Sequence, residues 1–356
     1  MSRLADHACD ASIDLAGGRP HVMARRILPL AAAAAAFTIV AYCAASRKLF
    51  DVISQSEPHC GTGDDGQPRF ASYTPASFGT SGLPPEVGGL VDPTSYVMPA
   101  FKNVSVTSRD GLLLASWWIP AARGGAPVVV MVHGVGSCRR DPVMLLPAGM
   151  LHRNGFAVLM IDLADQGDSL VRDGRFTGGG RESLDVLGAW DWLRARGIPD
   201  GRIGLFGESN GAATVLIAAA AEPRIAAVWE DSGYADAWTA VHEEVRRRGF
   251  PEILIGGARL WGLAAGIDPD RARPLDAMAA IRDRPVMIVH GSIDSRVDPH
   301  HAFDLANALA APRGPGGAPA SPWIVPGADH LRASFVAAAE YERRLTAFFT
   351  AALGMP

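Results

Sequence analysis

Lysine is almost missing from this chain: Lys48 and Lys102 are the only two among 33 basic residues. Arginine carries the rest of the positive charge, and 37 acidic residues leave a formal net charge of −4. With a pI of about 6.2, the chain has no basic footprint for nucleic acid, and that class of partner is excluded. Cysteine is scarce too. Cys9, Cys43, Cys60 and Cys138 show no metal-ligand spacing, and a disulfide-built scaffold needs a far denser set. What is plentiful is apolar material. Hydrophobic residues make up 48% of 356 positions, enough for one large or two modest domains, which excludes global disorder.

One segment breaks this soluble composition. Residues 27–46 carry no charge and are long enough to span a bilayer core, with Arg25 and Arg26 before them and Arg47 and Lys48 after. Alanine is only marginally favourable in lipid, so Leu28, Leu30, Phe37, Ile39 and Val40 supply most of the insertion energy. A transmembrane signal anchor fits, as does a signal peptide cleaved near Ala44 and Ala45; an alanine-rich helix of a soluble protein is the bland alternative. Counting Arg19 tips the charge balance toward a cytoplasmic tail over 1–26 and an extracytoplasmic catalytic domain; cleavage would instead give a secreted one. Residues 47–98 are rich in Pro, Gly, Ser and Asp without a sustained apolar period, and read as a linker to a domain over 99–356. In an exported protein Cys60 is available to pair with Cys138.

The domain punctuates itself regularly. Apolar runs at 104–108, 112–119, 127–132, 157–161, 202–206, 225–229, 285–289 and 323–325 read as strands. Helix-length stretches separate them at 142–153, 181–196, 210–221, 301–309 and 333–351. An antiparallel start followed by repeated strand–helix units predicts an open α/β architecture: a mostly parallel, doubly wound sheet of about eight strands. Ligands on such sheets bind at the carboxyl ends of the strands.

That rule directs attention to four loops. After 202–206 comes Gly207-Glu208-Ser209-Asn210-Gly211, where a sharp strand-to-helix turn lifts the Ser209 hydroxyl clear of the sheet. A β-carbon at Gly207 or Gly211 would clash in so tight a turn. A serine hydroxyl needs a base, and a base needs a carboxylate to orient it. Asp294 and His330 each follow a later strand, in the order Ser, Asp, His that this architecture uses. Asp231 is the second choice for the acid. Asp298 reads as a helix cap, Asp329 as pointing elsewhere, His290 as structural, and His300 and His301 as surface groups. For the oxyanion, the backbone N–H groups of Val135, in His133-Gly134-Val135-Gly136-Ser137, and of Asn210 are the candidate donors.

These motifs resemble those of serine hydrolases of the α/β-hydrolase fold, most closely the serine aminopeptidase or prolyl-oligopeptidase-like branch. The likeness spans about residues 101–349. It rests on His133-Gly134, Gly207-x-Ser209-x-Gly211, Gly291-x-x-Asp294-x-x-Val297 and Gly327-Ala328-x-His330. The resemblance implies a Ser209–His330–Asp294 triad with no metal and no organic cofactor. Ile161-Asp162 with Gly167-x-Ser169 matches a further family loop, although Ala164-Asp165-Gln166 departs from its usual residues.

Substrate is less legible. About 50 residues between Asp231 and the next strand form an insertion, 232–280, with two helical stretches at 235–248 and 252–265 that would cap Ser209. Their apolar content fits an acyl-binding wall. The expectation is a carboxylester or lipid-acyl hydrolase acting on a small-molecule ester or lipid, with the membrane as partner through the N-terminal segment. An aminopeptidase or acylaminoacyl peptidase is the alternative, and would need carboxylates to hold a free amine; a catalytically silent binding protein is the third class.

Overall fold

A computed structural model describes residues 20–62, 69–310 and 321–355. The strands are β1 (Lys102–Thr107), β2 (Leu113–Ile119), β3 (Val128–Val132), β4 (Ala157–Ile161), β5 (Ile203–Glu208), β6 (Ala227–Asp231), β7 (Val286–Gly291) and β8 (Trp323–Val325). They form one eight-stranded sheet in the order β1-β2-β4-β3-β5-β6-β7-β8. β2 pairs antiparallel with β1 and β4, and every later pairing is parallel. This is the α/β-hydrolase arrangement that the motifs imply.

The helices are α1 (Pro20–Ser54), α2 (Pro142–Arg153), α3 (Glu182–Arg194), α4 (Asn210–Ala221), α5 (Ala237–Arg247), α6 (Leu254–Ala264), α7 (Pro274–Ala280), α8 (His300–Ala310), α9 (Ala333–Val336) and α10 (Ala338–Leu353). Side chains alternate across each strand, so β3 feeds two cores. Val128, Val130 and Val132 join Trp190, Leu216, Met278 and Leu305 on one face. Val129 and Met131 join Leu145, Trp229, Phe335 and Phe349 on the other. With both faces covered, the central strands read as unbroken apolar runs. The winding direction reverses between β3 and β5, which opens a crevice at their carboxyl ends.

The insertion folds as expected into α5 and α6, and it holds a third helix that the sequence did not reveal. At seven residues, α7 is too short to display a helical period, and it packs beside α4.

The stretch read as a linker is not one. α1 continues unbroken to Ser54 and buries Leu49 and Phe50 with Val245, Ile255 and Ile267 of the insertion. Further on, Phe78, Val87, Tyr96 and Met98 are buried in the same core as α2 and α10. These apolar residues sit singly between turns, with no helix or strand period to betray them. The expected tail at 1–26 lies largely outside the described residues, as does Cys9.

Cys60 and Cys138 form a disulfide that closes a loop of 78 residues, while Cys43 is free and exposed. In the chain-entropy account, a loop of this size stabilises by about 4 kcal/mol. The double replacement Cys60→Ser/Cys138→Ser is expected to lose a large part of that, read as a lower urea midpoint with a somewhat steeper slope, because the freed unfolded chain exposes more surface.

Candidate active site

The turn after β5 is strained where the sequence requires it. Ser209 has φ 53° and ψ −122°, a conformation that a side-chain-bearing residue holds only when its surroundings enforce it. The glycines provide the enforcement. A β-carbon on Gly207 would run into the Gly211 carbonyl, and one on Gly211 into the carbonyls of Val132 and His133. Close packing extends to the loop after β3: a β-carbon on Gly134 would stand 2.9 Å from the Ser209 Cβ. Asn210 is the first residue of α4, so its amide N–H has no intrahelical acceptor. Val135 and Asn210 line one cavity with Ser209 and His330.

Three side chains expected to meet do meet. The Ser209 hydroxyl lies 3.1 Å from His330 Nε2, and His330 Nδ1 lies 2.8 Å from Asp294 Oδ2. The loops that carry them are stitched together. Asp329 Oδ1 accepts the N–H groups of Ser295 and His330, each at 2.7 Å, so it points away from the imidazole, as the sequence reading had it. The Ser292 hydroxyl accepts the Gly327 N–H at 2.9 Å. Asp231, the second-choice acid, is committed elsewhere: it is buried, and accepts from Tyr341 at 2.6 Å and Ser232 at 2.8 Å. Asp298 caps α8 through the His300 N–H at 3.0 Å.

Asp294 has a second imidazole partner that sequence reasoning did not foresee. His290 Nε2 lies 3.2 Å from Asp294 Oδ2 and 2.9 Å from the Val297 carbonyl, while Asp294 Oδ1 accepts the N–H groups of Arg296 and Val297. Burial alone would raise the Asp294 carboxyl, but hydrogen bonds from His290 and His330 hold it well below the ordinary carboxylate range. The only sequence signal was position: His290 ends the strand that carries the acid loop.

The loop after β3 is also supported from three sides. His133 is buried, which drives its pKa down to about 4. The neutral ring accepts the Leu163 N–H at 3.1 Å on Nε2, so its Nδ1–H donates to the Gly134 carbonyl at 2.8 Å. Gln166 Oε1 accepts the Gly136 N–H at 3.2 Å, and Arg69 donates to the Gly136 carbonyl at 2.9 Å. Gln166 lies in the segment that departs from the family pattern, and it is the residue of that segment that reaches the loop after β3. Asp162 there accepts from the Arg139 guanidinium and from the N–H groups of Arg139 and Asp168.

Above the serine stands a cavity of about 540 Å³. Its walls include Phe50, Val52 and Ile53 of α1, Trp238 and Val241 of α5, Ala258 and Gly262 of α6, and Ile267. One cluster in the described residues has the composition of a cation site: Glu243, His300 and His301. His301 Nδ1 accepts the Ala235 N–H at 3.2 Å, which puts the proton on Nε2, facing Glu243 Oε2 at 3.1 Å. In that tautomer His301 offers a cation no lone pair. The cluster ties α5 to α8 instead.

Comparison with known proteins gives the same architecture. A model of the prolyl oligopeptidase family matches residues 146–356. A curated Mycobacterium tuberculosis protein described only as uncharacterized, present in two strains, is 34% identical over 142 residues, or 39% of this chain. The chain spans about half, 48%, of that relative's length. Among solved structures, an esterase of Pyrococcus furiosus aligns over 71% of this chain and 93% of its own, with a TM-score of 0.57 and 22% identity. A puromycin-hydrolyzing peptidase of Mycobacterium tuberculosis aligns over 74% of this chain and 40% of its own, with a TM-score of 0.57 and 20% identity. At such identities the likeness is one of fold.

Proposed function

The chain belongs to the prolyl oligopeptidase family, and from that premise we propose that it is a membrane-anchored carboxylester or lipid-acyl hydrolase working through an acyl-enzyme. The Ser209 Oγ attacks the ester carbonyl carbon as its proton passes to His330 Nε2. Asp294 fixes the ring with Nδ1–H inward and stabilises the imidazolium. The Val135 and Asn210 N–H groups receive the oxyanion. The alcohol leaves with the proton from His330. A water then gives a proton to the same nitrogen, attacks the acyl carbon and releases the acid, restoring Ser209.

The observation that carries the ester reading is the cavity wall. Its apolar part is supplied by Phe50, Val52 and Ile53 of α1, by Trp238 and Val241 of α5 and by Ala258 of α6, and its carboxylates are already engaged. Glu57 pairs with Arg69, and Glu244 with Arg247 and Arg248. Outside the cavity wall, Glu243 meets His300 and His301, and Glu252 meets His242. An aminopeptidase needs a carboxylate free to hold the substrate amine, and Glu57, Glu243, Glu244 and Glu252 are all paired.

Two observations support the membrane reading. Tyr42 donates to the Ile253 carbonyl at 3.0 Å, and Trp261 to the Cys43 carbonyl at 3.2 Å. Both contacts lie before Ala44 and Ala45, so cleavage there would sever them. Pro29–Ser54 is also long and apolar enough to cross a membrane. The Cys60–Cys138 bond supports an extracytoplasmic domain, since such bonds persist in oxidising compartments.

The test is a substrate panel of p-nitrophenyl esters, lysophospholipids and aminoacyl-naphthylamides. We expect kcat/KM for the best ester to exceed that for the best amide by roughly 100-fold. The opposite ranking would establish the peptidase alternative.

A further inference from the structure

The helix that carries the apolar run and the helix that roofs the cavity are packed side by side. α1 and α6 run in the same direction: Tyr42 meets Ile253, Ser46 lies against Gly257, and Phe50 lies near Gly262. A β-carbon on Gly257 would collide with the Ser46 side chain, so the two backbones approach closely. Beside this seam α6 turns an uncovered apolar face outward. Ile253 is 75% exposed, Leu260 69% and Leu263 45%. They recur at helical spacing, one face of a helix whose single charge, Arg259, is paired with Asp270.

The register fixes the depth of that face. Taking the apolar run of α1 to end at Ser46, Ile253 stands level with Tyr42, about 6 Å inside that end at 1.5 Å per residue. Phe50 and Ile53, which line the cavity, stand about 6 and 10 Å beyond it. The headgroup zone on each side of a bilayer is roughly 5–8 Å deep. Phe50 therefore stands within the headgroup zone and Ile53 just beyond it, and Ile253, the exposed cap residue of α6, is the deepest point of that face. Tyr42 and Trp261 fall at the same boundary, where aromatic residues collect.

We infer that α6 is a second membrane-contacting element, seated in the bilayer surface beside α1 on Ile253 and Leu260, with Leu263 at the outer edge of the headgroup layer. Its consequence is a substrate class: acyl lipids resident in that bilayer, which enter the cavity from the headgroup layer beside Phe50. The inference rests on the anchored acyl-hydrolase reading above. The occupant of the uncovered face is lipid because the face is continuous with the helix that spans it. The contact is apolar, not cationic: Arg247 and Arg248 are paired with Glu244, and Arg246 stands 3.9 Å from Glu252.

The test uses the full chain in phosphatidylcholine vesicles. A nitrobenzoxadiazole label on Leu260→Cys, in a Cys9→Ser/Cys43→Ser background, is expected to lose about half its fluorescence or more to doxyl-labelled lipids. A label left unquenched, whether facing water or covered by another protein or a second copy, overturns the proposal. Ile253→Glu/Leu260→Glu is expected to cut turnover of palmitoyl-lysophosphatidylcholine in the vesicles about 10-fold, leaving p-nitrophenyl acetate within about twofold. Unchanged lipid turnover in that variant overturns the substrate claim. If both activities fall together, the variant is misfolded and the quenching result decides. If the unaltered protein cleaves neither ester, the hydrolase reading fails, and quenching still decides the docking of α6.

Discussion

Replacing Ser209 by alanine is expected to lower ester turnover about 10⁶-fold and to abolish labelling by a fluorophosphonate probe. The substitution removes one oxygen and leaves the β-carbon against Gly134, so the turn, α4 and the cavity keep their shape. The unfolding transition should therefore stay where it is while the chemistry is lost. What survives is the contribution of binding and of the N–H donors proposed at Val135 and Asn210, roughly 10³-fold over water. Probe labelling of the alanine variant would show that another residue is the nucleophile.

Replacing Asp294 by asparagine is expected to cost about 10⁴-fold in kcat, with little change in KM. The reason is the pair of ring N–H donors that meet at one carboxylate. Oδ2 serves both His330, at 2.8 Å, and His290, at 3.2 Å. An amide in that place has one oxygen and one NH₂. If the NH₂ turns toward His330, the imidazole must present a lone pair there, and its other nitrogen then carries a proton toward Ser209 and cannot accept one. If it turns toward the Val297 and Arg296 amides, two donors confront their N–H groups. Asp231→Asn is the control. Its carboxylate serves Tyr341 and Ser232, so a folded variant should lose less than about 10-fold. The reverse ranking would transfer the acid role to Asp231. The hydrogen bonds that depress Asp294 also stabilise the fold above the ordinary carboxylate range, and that contribution disappears only as acid protonates the group.

The sheet was legible because its strands are buried on both faces and punctuated by turns; β3 at Val128–Val132 is the clearest case. Ser209, Asp294 and His330 were legible because each follows such a run, and topology alone brings strand ends together. Residues whose contribution is a contact across the fold were not. His290 carries no motif, and only the structure shows its Nε2 directed at the acid. Gln166 looked like a lapse in a familiar pattern, yet it accepts the Gly136 N–H. The segment before residue 99 was misread for the same reason. Phe78, Val87 and Met98 are isolated apolar residues among prolines and glycines, and composition cannot tell a packed irregular segment from a free one.

That packing has a practical side for anyone purifying this protein. A shortened form starting at the compositional boundary near residue 98 would discard Phe50, Val52 and Ile53, and with them one side of the chamber over Ser209. It would strip Leu49 from Val245 and Ile255, leave Cys138 as an unpaired thiol, and remove the arginine that holds the Gly136 carbonyl. Kinetics or inhibitor screening on such a fragment would describe a half-open vessel. Work on the intact unit has to begin upstream of Tyr42, so that the contacts of Tyr42 and Cys43 with Ile253 and Trp261 are kept.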